Sequence, residues 1–260
     1  MTQFIETEID ARGVATLWLA REDKHNALSA DMMTQLEEAA RRLAQDSDVR
    51  VVVLAARGKT FCAGGDLAWM RDQMAMDADT RRSESARIAT ALMALYELPQ
   101  PLIGRLHGNA FGGGVGLASV CDVALGAAGI KMGLTETKLG LIPANIGPYV
   151  IARMGGTRAR EVFMNARLFD AGEAVRLNLL TRAVAAVDLD DAVEEAITPY
   201  LSCAPGAVSE AKALLRMLEG RITQEHVDLA IDALAQRWET SEARDGIAAF
   251  FDKRPAPWAG

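Results

Sequence analysis

The sequence predicts an α/β fold, on three observations. Short apolar, β-prone runs alternate with segments of helical periodicity over the first three quarters of the chain. Strand signals vanish after Asp190. Half of the 260 residues are hydrophobic and only 24% are charged, a balance that supports a sizeable buried core.

The elements follow in order. Val14 to Leu19 is short and apolar, and Arg50 to Ala56 (RVVVLAA) is the uninterrupted run of a strand buried on both faces. Between them Ser29 can cap a helix from Ala30 to Gln45, with Met33, Leu36, Ala40 and Leu43 on one face. The pattern continues with a helix-like Leu67 to Met74, a helix from Ser83 to Glu97 and a strand from Leu102 to Leu106. A Gly-opened helix from Gly112 to Ser119, a strand from Cys121 to Leu125, a helix from Ile146 to Arg153 and a strand from Arg182 to Val187 complete it. Four helical segments come last, Asp191–Leu201, Ala207–Leu218, Gln224–Glu239 and Glu242–Phe251, broken by Pro205, Gly206 and Gly220. Residues 1–190 therefore read as an α/β core that carries the site, and residues 191–260 as a helical region. Phe250 and Phe251 are more apolar surface than so short a helix buries alone, so this end is expected to pack on the core or on another subunit.

Composition excludes several classes. A net charge of -7 opposes broad nucleic-acid binding, which needs clustered Lys and Arg. Cys62, Cys121 and Cys203 are odd in number and widely spaced, so they read as buried thiols of a reducing cytosol and not as a disulfide framework or zinc site. His25, His107 and His226 have no metal-ligand spacing and read as loop or structural residues. The N-terminus MTQFIETEID lacks a basic and apolar leader, and no window nears 18 uninterrupted apolar residues. A soluble, cytoplasmic protein is the expectation.

Three segments carry chemistry. Phe61-Cys62-Ala63-Gly64-Gly65-Asp66 lies at a strand-to-helix turn, where small residues let a ligand approach free N–H groups. Gly108-Asn109-Ala110-Phe111-Gly112-Gly113-Gly114-Val115-Gly116 repeats the device, and it is neither a Walker loop nor a dinucleotide fingerprint. Glu136 sits between a strand and an apolar Gly/Pro-rich loop, where a raised pKa suits a carboxyl to take and return a proton. Taken singly, the first turn reads more readily as a structural glycine turn with Asp66 as helix cap, and Glu136 as a solvated surface acid.

In this order and spacing the three segments closely resemble the crotonase (enoyl-CoA hydratase/isomerase) superfamily, over nearly the whole chain. Arg21-Glu22-Asp23-Lys24-His25-Asn26-Ala27-Leu28 is similar to the family's R-P-x-x-x-N-A-L coenzyme A loop, with Glu22 in place of the proline. Phe250-Phe251-Asp252-Lys253-Arg254 is similar to its F-x-x-K-R-x-P terminus, where an aromatic and a lysine often meet a neighbouring subunit's ligand. The resemblance implies a crotonase-like spiral core of repeated ββα units with a C-terminal helical oligomerisation region. It implies an oxyanion hole at the N–H groups of Ala63 and Gly113, and substrate contacts from Lys24, Ala27, Ala63, Gly64, Gly65, Asp66, Leu67 and Gly113. It also implies coenzyme A as part of the thioester substrate with no permanent cofactor, a homotrimer or hexamer, and neither a nucleic-acid nor a membrane partner.

The chain departs from the family's two-glutamate pattern, because Gly116 stands where the first glutamate is usual and only Glu136 remains. Ala63-Gly64-Gly65-Asp66-Leu67-Ala68-Trp69-Met70 and the Phe111–Gly116 run look like the glutaconyl-CoA hydratases of leucine and acyclic terpene breakdown. The expectation is hydration of a 2-enoyl-CoA of branched or glutaconyl type by one glutamate. Δ3,Δ2-enoyl-CoA isomerisation is the alternative, and a non-catalytic binding or scaffold member the third reading. Asn145 or Tyr149 is expected to help orient water, and Trp69, Met70, Met74 and residues near Ile142 to Tyr149 to line the acyl pocket.

Overall fold

A strand reading VVVLAA has no polar side chain to offer water on either face, so both faces of its sheet must be covered. In the computed structural model, which describes residues 2–220 and 222–259, every residue of this strand is buried. The chain runs through β1 (Ile5–Ile9), β2 (Val14–Leu19), α1 (Ala30–Gln45), β3 (Val51–Ala56), α2 (Leu67–Ala75) and α3 (Ala78–Tyr96). Next come β4 (Leu102–Leu106), β5 (Ala110–Phe111), α4 (Gly113–Ser119), β6 (Val123–Ala127), β7 (Lys131–Gly133), α5 (Gly147–Met154) and α6 (Gly156–Ala159). The remainder is β8 (Leu168–Asp170), α7 (Ala171–Arg176), β9 (Arg182–Val184), α8 (Leu189–Leu201), α9 (Pro205–Leu218), α10 (Gln224–Trp238) and α11 (Ser241–Phe251).

The main sheet has the order β1-β2-β3-β4-β6-β9, parallel throughout except for the antiparallel β1–β2 edge pair. A small sheet, β5-β7-β8, carries the segments that follow β4 and β6. Helix α1 buries the expected face, and the Ser29 hydroxyl accepts from the Met32 N–H at its start. Helix α8 packs on β3, β4 and β6, so the helical quarter begins against the sheet. Helix α10 packs on α3 and α5, and α11 packs on the 3-10 turn Glu136–Leu139. Leu141, Ala144, Leu234, Ala243 and Ile247 form a second apolar cluster there, which folds the C-terminal helices over the loop that bears Glu136.

Several boundaries differ from expectation for local reasons. Helix α3 starts five residues before Ser83 because Asp77 caps it, accepting from the Thr80 N–H at 2.8 Å. The Cys121 strand starts at Val123 because the Cys121 N–H still bonds the Ala118 carbonyl at the end of α4. The Arg182 strand ends at Val184, where a 3-10 turn, Ala186–Asp188, takes over. Pro205 and Gly206 do not break a helix but open α9, since proline at the first turn loses no hydrogen bond. Cys62 and Cys121 are buried as expected, whereas Cys203 is exposed.

One buried polar residue fixes the entrance to the site. Asn26 is fully buried with a positive φ of 54°; its Oδ1 accepts from the Arg21 N–H at 2.8 Å. Its Nδ2 donates to the Arg57 and Thr60 carbonyls at 2.9 and 2.8 Å, tying the 21–28 loop to the turn after β3. Asn26→Ala breaks all three bonds, and urea denaturation is expected to show a loss of about 3 kcal/mol or more. A loss below about 1 kcal/mol contradicts this role for Asn26.

Candidate active site

The loop after β3 and the loop after β4 are joined by main chain. The Phe61 and Cys62 N–H groups both donate to the Asn109 carbonyl at 3.1 Å, and the Phe111 N–H donates to the Cys62 carbonyl at 3.0 Å. The 21–28 loop adds a third ribbon: the Leu28 N–H donates to the Gly64 carbonyl at 2.8 Å, and the Asp66 N–H to the Leu28 carbonyl at 2.9 Å. Gly64 and Asp66 thus face Leu28. By the alternation of extended chain, the Gly65 N–H faces the other way.

Of the two N–H groups expected to form an oxyanion hole, that of Ala63 is already spent within the fold. The Ala63 N–H is committed to the His25 carbonyl at 3.0 Å, which the left-handed conformation of His25 (φ 52°) turns toward it. Gly65, two residues on, lines an inner cavity together with Gly113, and neither N–H bonds another described residue. Gly113 opens α4, where the first N–H groups have no intrahelical partner.

Glu136 faces these donors. A side-chain carbon on Gly112, whose φ is 49°, would stand 2.9 Å from Glu136 Oε1, so glycine there is what lets the carboxyl in. Its Oε2 has neither solvent contact nor a hydrogen-bond partner among the described residues. Burial pushes the carboxyl up to about 7, against the pull of its own N–H and that of Thr135. Asp66 also lines the cavity but is committed elsewhere. Its Oδ2 pairs with Arg21 Nη1 at 2.6 Å, and its Oδ1 caps α2 by accepting from the Ala68 and Trp69 N–H groups at 2.8 and 3.0 Å. Burial alone would raise its pKa, yet the Trp69 N–H and Arg21 bonds outweigh this and hold it below the usual carboxylate value.

Gly116 leaves no vacancy for a second acid. A side-chain carbon there would fall 2.5 Å from Ile146 Cγ2 and 3.4 Å from Leu92 Cδ1. The inner cavity, about 100 Å³, has Trp69, Met70, Ile88, Ile142 and Ile146 among its apolar walls. Two expected members lie elsewhere: Met74 packs on the second apolar cluster, and the buried Tyr149 hydroxyl donates to the Ala89 carbonyl at 3.2 Å. Asn145 does line the cavity. Gln73, Ser85, Leu234 and Trp238 line it too. The 3.6-residue period could have placed Leu234 and Trp238 on one face of α10, but nothing local shows that this face returns to the site.

An outer groove of about 880 Å³ meets the cavity at Gly65 and Asp66, which line both. Lys24, Ala27, Ala63 and Leu67 lie along it as expected, whereas Gly64 lines neither space. Phe250, Phe251 and Lys253 stand on this groove of their own chain, with the Arg71 guanidinium 4.4 Å from the Phe251 ring centre. The histidines are loop and cap residues: His25 Nδ1 meets Thr60 Oγ1 at 3.2 Å, His107 Nε2 meets the Gly58 carbonyl at 2.8 Å, and His226 completes a capping box. No group of three or more His, Cys, Asp or Glu that could hold a metal occurs among the described residues.

Residues 10–260 match the family model described as enoyl-CoA hydratase/isomerase. The chain is 31% identical over 261 residues to the mitochondrial methylglutaconyl-CoA hydratase of Mus musculus, covering 97% of this chain and 82% of that one. Among solved structures it resembles an enoyl-CoA hydratase from Shewanella pealeana, with 35% identity, a TM-score of 0.80 and coverage of 98% of this chain and 96% of that one. An enoyl-CoA hydratase from Mycobacterium avium gives 29% identity, a TM-score of 0.86 and coverage of 99% and 100%. The motifs, the mixed α/β core with its C-terminal helices and these likenesses agree: the chain belongs to the enoyl-CoA hydratase/isomerase family.

Proposed function

We propose that the protein hydrates a short 2-enoyl-CoA with Glu136 as its one proton-transfer residue. The observation that carries this reading is a buried carboxyl with one unpartnered oxygen beside two free N–H groups, at the point where a long groove narrows to a small cavity. The thioester oxygen sits between the Gly65 and Gly113 N–H groups, which strengthen their hold as it gains charge. A preorganised donor of this kind is worth about 2.7–4 kcal/mol. Ionised Glu136 accepts a hydrogen bond from a water whose oxygen bonds C3, while the double-bond electrons move toward the thioester oxygen. Glu136 then passes the water's proton to C2. Coenzyme A lies in the outer groove as part of the substrate, with Lys24, Arg71 and Lys253 supplying positive charge for its phosphates.

A branched, uncharged acyl group suits the cavity better than a glutaconyl one, because no Lys or Arg lines it and a buried carboxylate without a partner is costly. The isomerase reading keeps one specific support. Asp66 is spent on Arg21 and the α2 cap, and a lone free carboxyl is what proton transfer from C2 to C4 requires. The α/β core to residue 190 holds the reacting groups in this reading, and the helices of residues 191–260 complete the walls of cavity and groove as well as serving assembly. Helix α9 supports self-association, since Leu214, Leu215, Met217 and Leu218 are all exposed on it.

Glu136→Gln lowers kcat for hydration of crotonyl-CoA by about a hundredfold or more; turnover within a fewfold of the parent contradicts the role. The kcat/KM of the parent rises with pH through about 7 as Glu136 ionises, and the Gln variant loses that limb. Stability runs the other way. A carboxyl raised above its unfolded value contributes fully below about pH 4.5 and loses that contribution as pH rises through about 7, so the melting temperature of the parent falls across this window more than that of Glu136→Gln.

Gly116→Glu alone forces a side chain into Ile146 and is expected to lower the melting temperature, while Gly116→Glu with Ile146→Ala recovers part of it and raises the ratio of hydration to 3-enoyl isomerisation. An unchanged melting temperature in the single variant contradicts the crowding. Sedimentation is expected to give a trimer or hexamer that Leu215→Asp weakens, and a monomeric parent overturns the assembly reading.

A further inference from the structure

Four polar side-chain atoms in the inner cavity's lining residues have no hydrogen-bond partner among the described residues and no solvent contact. One is Glu136 Oε2; the others are Ser85 Oγ, Asn145 Oδ1 and Trp238 Nε1. Native proteins leave few such atoms unpaired. Ser85 is 2% and Asn145 7% exposed, and Asn145 Nδ2 donates to the Ser85 carbonyl at 3.0 Å, which fixes the amide and leaves its oxygen as the free end. Gln73, 6% exposed, lines the same space, and its amide has no side-chain hydrogen bond among the described residues. The proton relay between water, C3 and C2 uses Glu136 and requires none of the other four groups.

Their chemistry is specific. Trp238 Nε1 only donates, Asn145 Oδ1 only accepts, and the Ser85 hydroxyl does both. Positive charge is missing: Arg81 lies 5.7 Å from the Trp238 ring, but its guanidinium is bound to the Gln73 and Met76 carbonyls and to Glu239, and it does not line the cavity. A space of about 100 Å³ has room for roughly three waters or for a short acyl chain. We propose that Ser85, Asn145, Gln73 and Trp238 form a subsite for an uncharged hydrogen-bonding substituent, a hydroxyl or carbonyl, on a short enoyl chain. This rests on the reading that the cavity takes the acyl group. It narrows the substrate class to a chain carrying a neutral polar group and disfavours both the plain alkyl and the carboxylated chain. The enzyme that supplies the substrate must then leave an oxygen function on the acyl chain beyond the double bond.

The test compares 5-hydroxy-2-pentenoyl-CoA with its near-isostere 2-hexenoyl-CoA and with glutaconyl-CoA, by kcat/KM on the full-length protein. Binding is read independently of turnover with the saturated pair 5-hydroxypentanoyl-CoA and hexanoyl-CoA by calorimetry. The hydroxylated member is expected to be preferred at least about tenfold in both measurements, since a site with buried polar groups rejects the analogue that leaves them unpaired. Ser85→Ala and Trp238→Phe are expected to bring that preference close to one, with circular dichroism and melting checked to show that each variant is folded. Equal affinity for the saturated pair, a preference for the carboxylated thioester, or a preference unmoved in both variants overturns the subsite. Tighter binding of the hydroxylated analogue with no hydration of any thioester, crotonyl-CoA included, supports the subsite and overturns the hydratase reading instead.

Discussion

The site depends on which main-chain N–H groups the fold leaves unpaired. Three loops, 21–28, 57–66 and 107–113, are laced together by backbone bonds, and the lacing consumes the donors of Phe61, Cys62, Ala63, Asp66 and Phe111. Gly65 falls between bonded positions and Gly113 opens α4, so neither N–H bonds another described residue. Such donors are expensive to bury unless something occupies them, which is the basis for proposing that they hold a substrate oxygen. Asn26 and Asp66 hold the loops in register from beneath: one ties the 21–28 loop to the turn after β3, and the other pins Arg21 and starts α2.

Around that pair, the chain has replaced a second acid with hydrocarbon. Ile146 and Leu92 close on Gly116, so the space in which a glutamate would stand has become apolar wall. Burial of the remaining carboxyl raises Glu136 toward neutrality, a range in which one group can both accept and donate a proton. Asp66 follows the opposite course in the same cavity: the α2 cap and Arg21 hold it below the usual carboxylate value. Two carboxyls are thus driven apart by their surroundings, and the proposed assignment of roles rests on that divergence.

Much of this was legible in the sequence. Periodicity placed β2, α1 and β4 to the residue, because apolar runs and the Ser29 cap are local signals. The glycine turns and Glu136 were legible as a set. Strand β1 was not, since its half-buried Glu6 and exposed Glu8 give an edge strand an acidic, loop-like composition. That the Ala63 N–H is spent and the Gly65 N–H free was not legible, because this depends on the His25 carbonyl and on the pairing of Leu28. The same holds for Ser85 and Trp238, which α3 and α10 bring to the cavity from far apart along the chain.

The central claim is that the Gly65 and Gly113 N–H groups polarise a thioester carbonyl. Vibrational spectroscopy of a saturated CoA thioester carrying a ¹³C label at its carbonyl reads this directly. The account predicts that binding moves the carbonyl stretch to lower frequency, that replacing the Gly65 amide by an ester reverses most of the shift, and that the same replacement at Ala63 leaves it in place. A carbonyl unshifted on binding, or a shift lost at Ala63 and kept at Gly65, contradicts it.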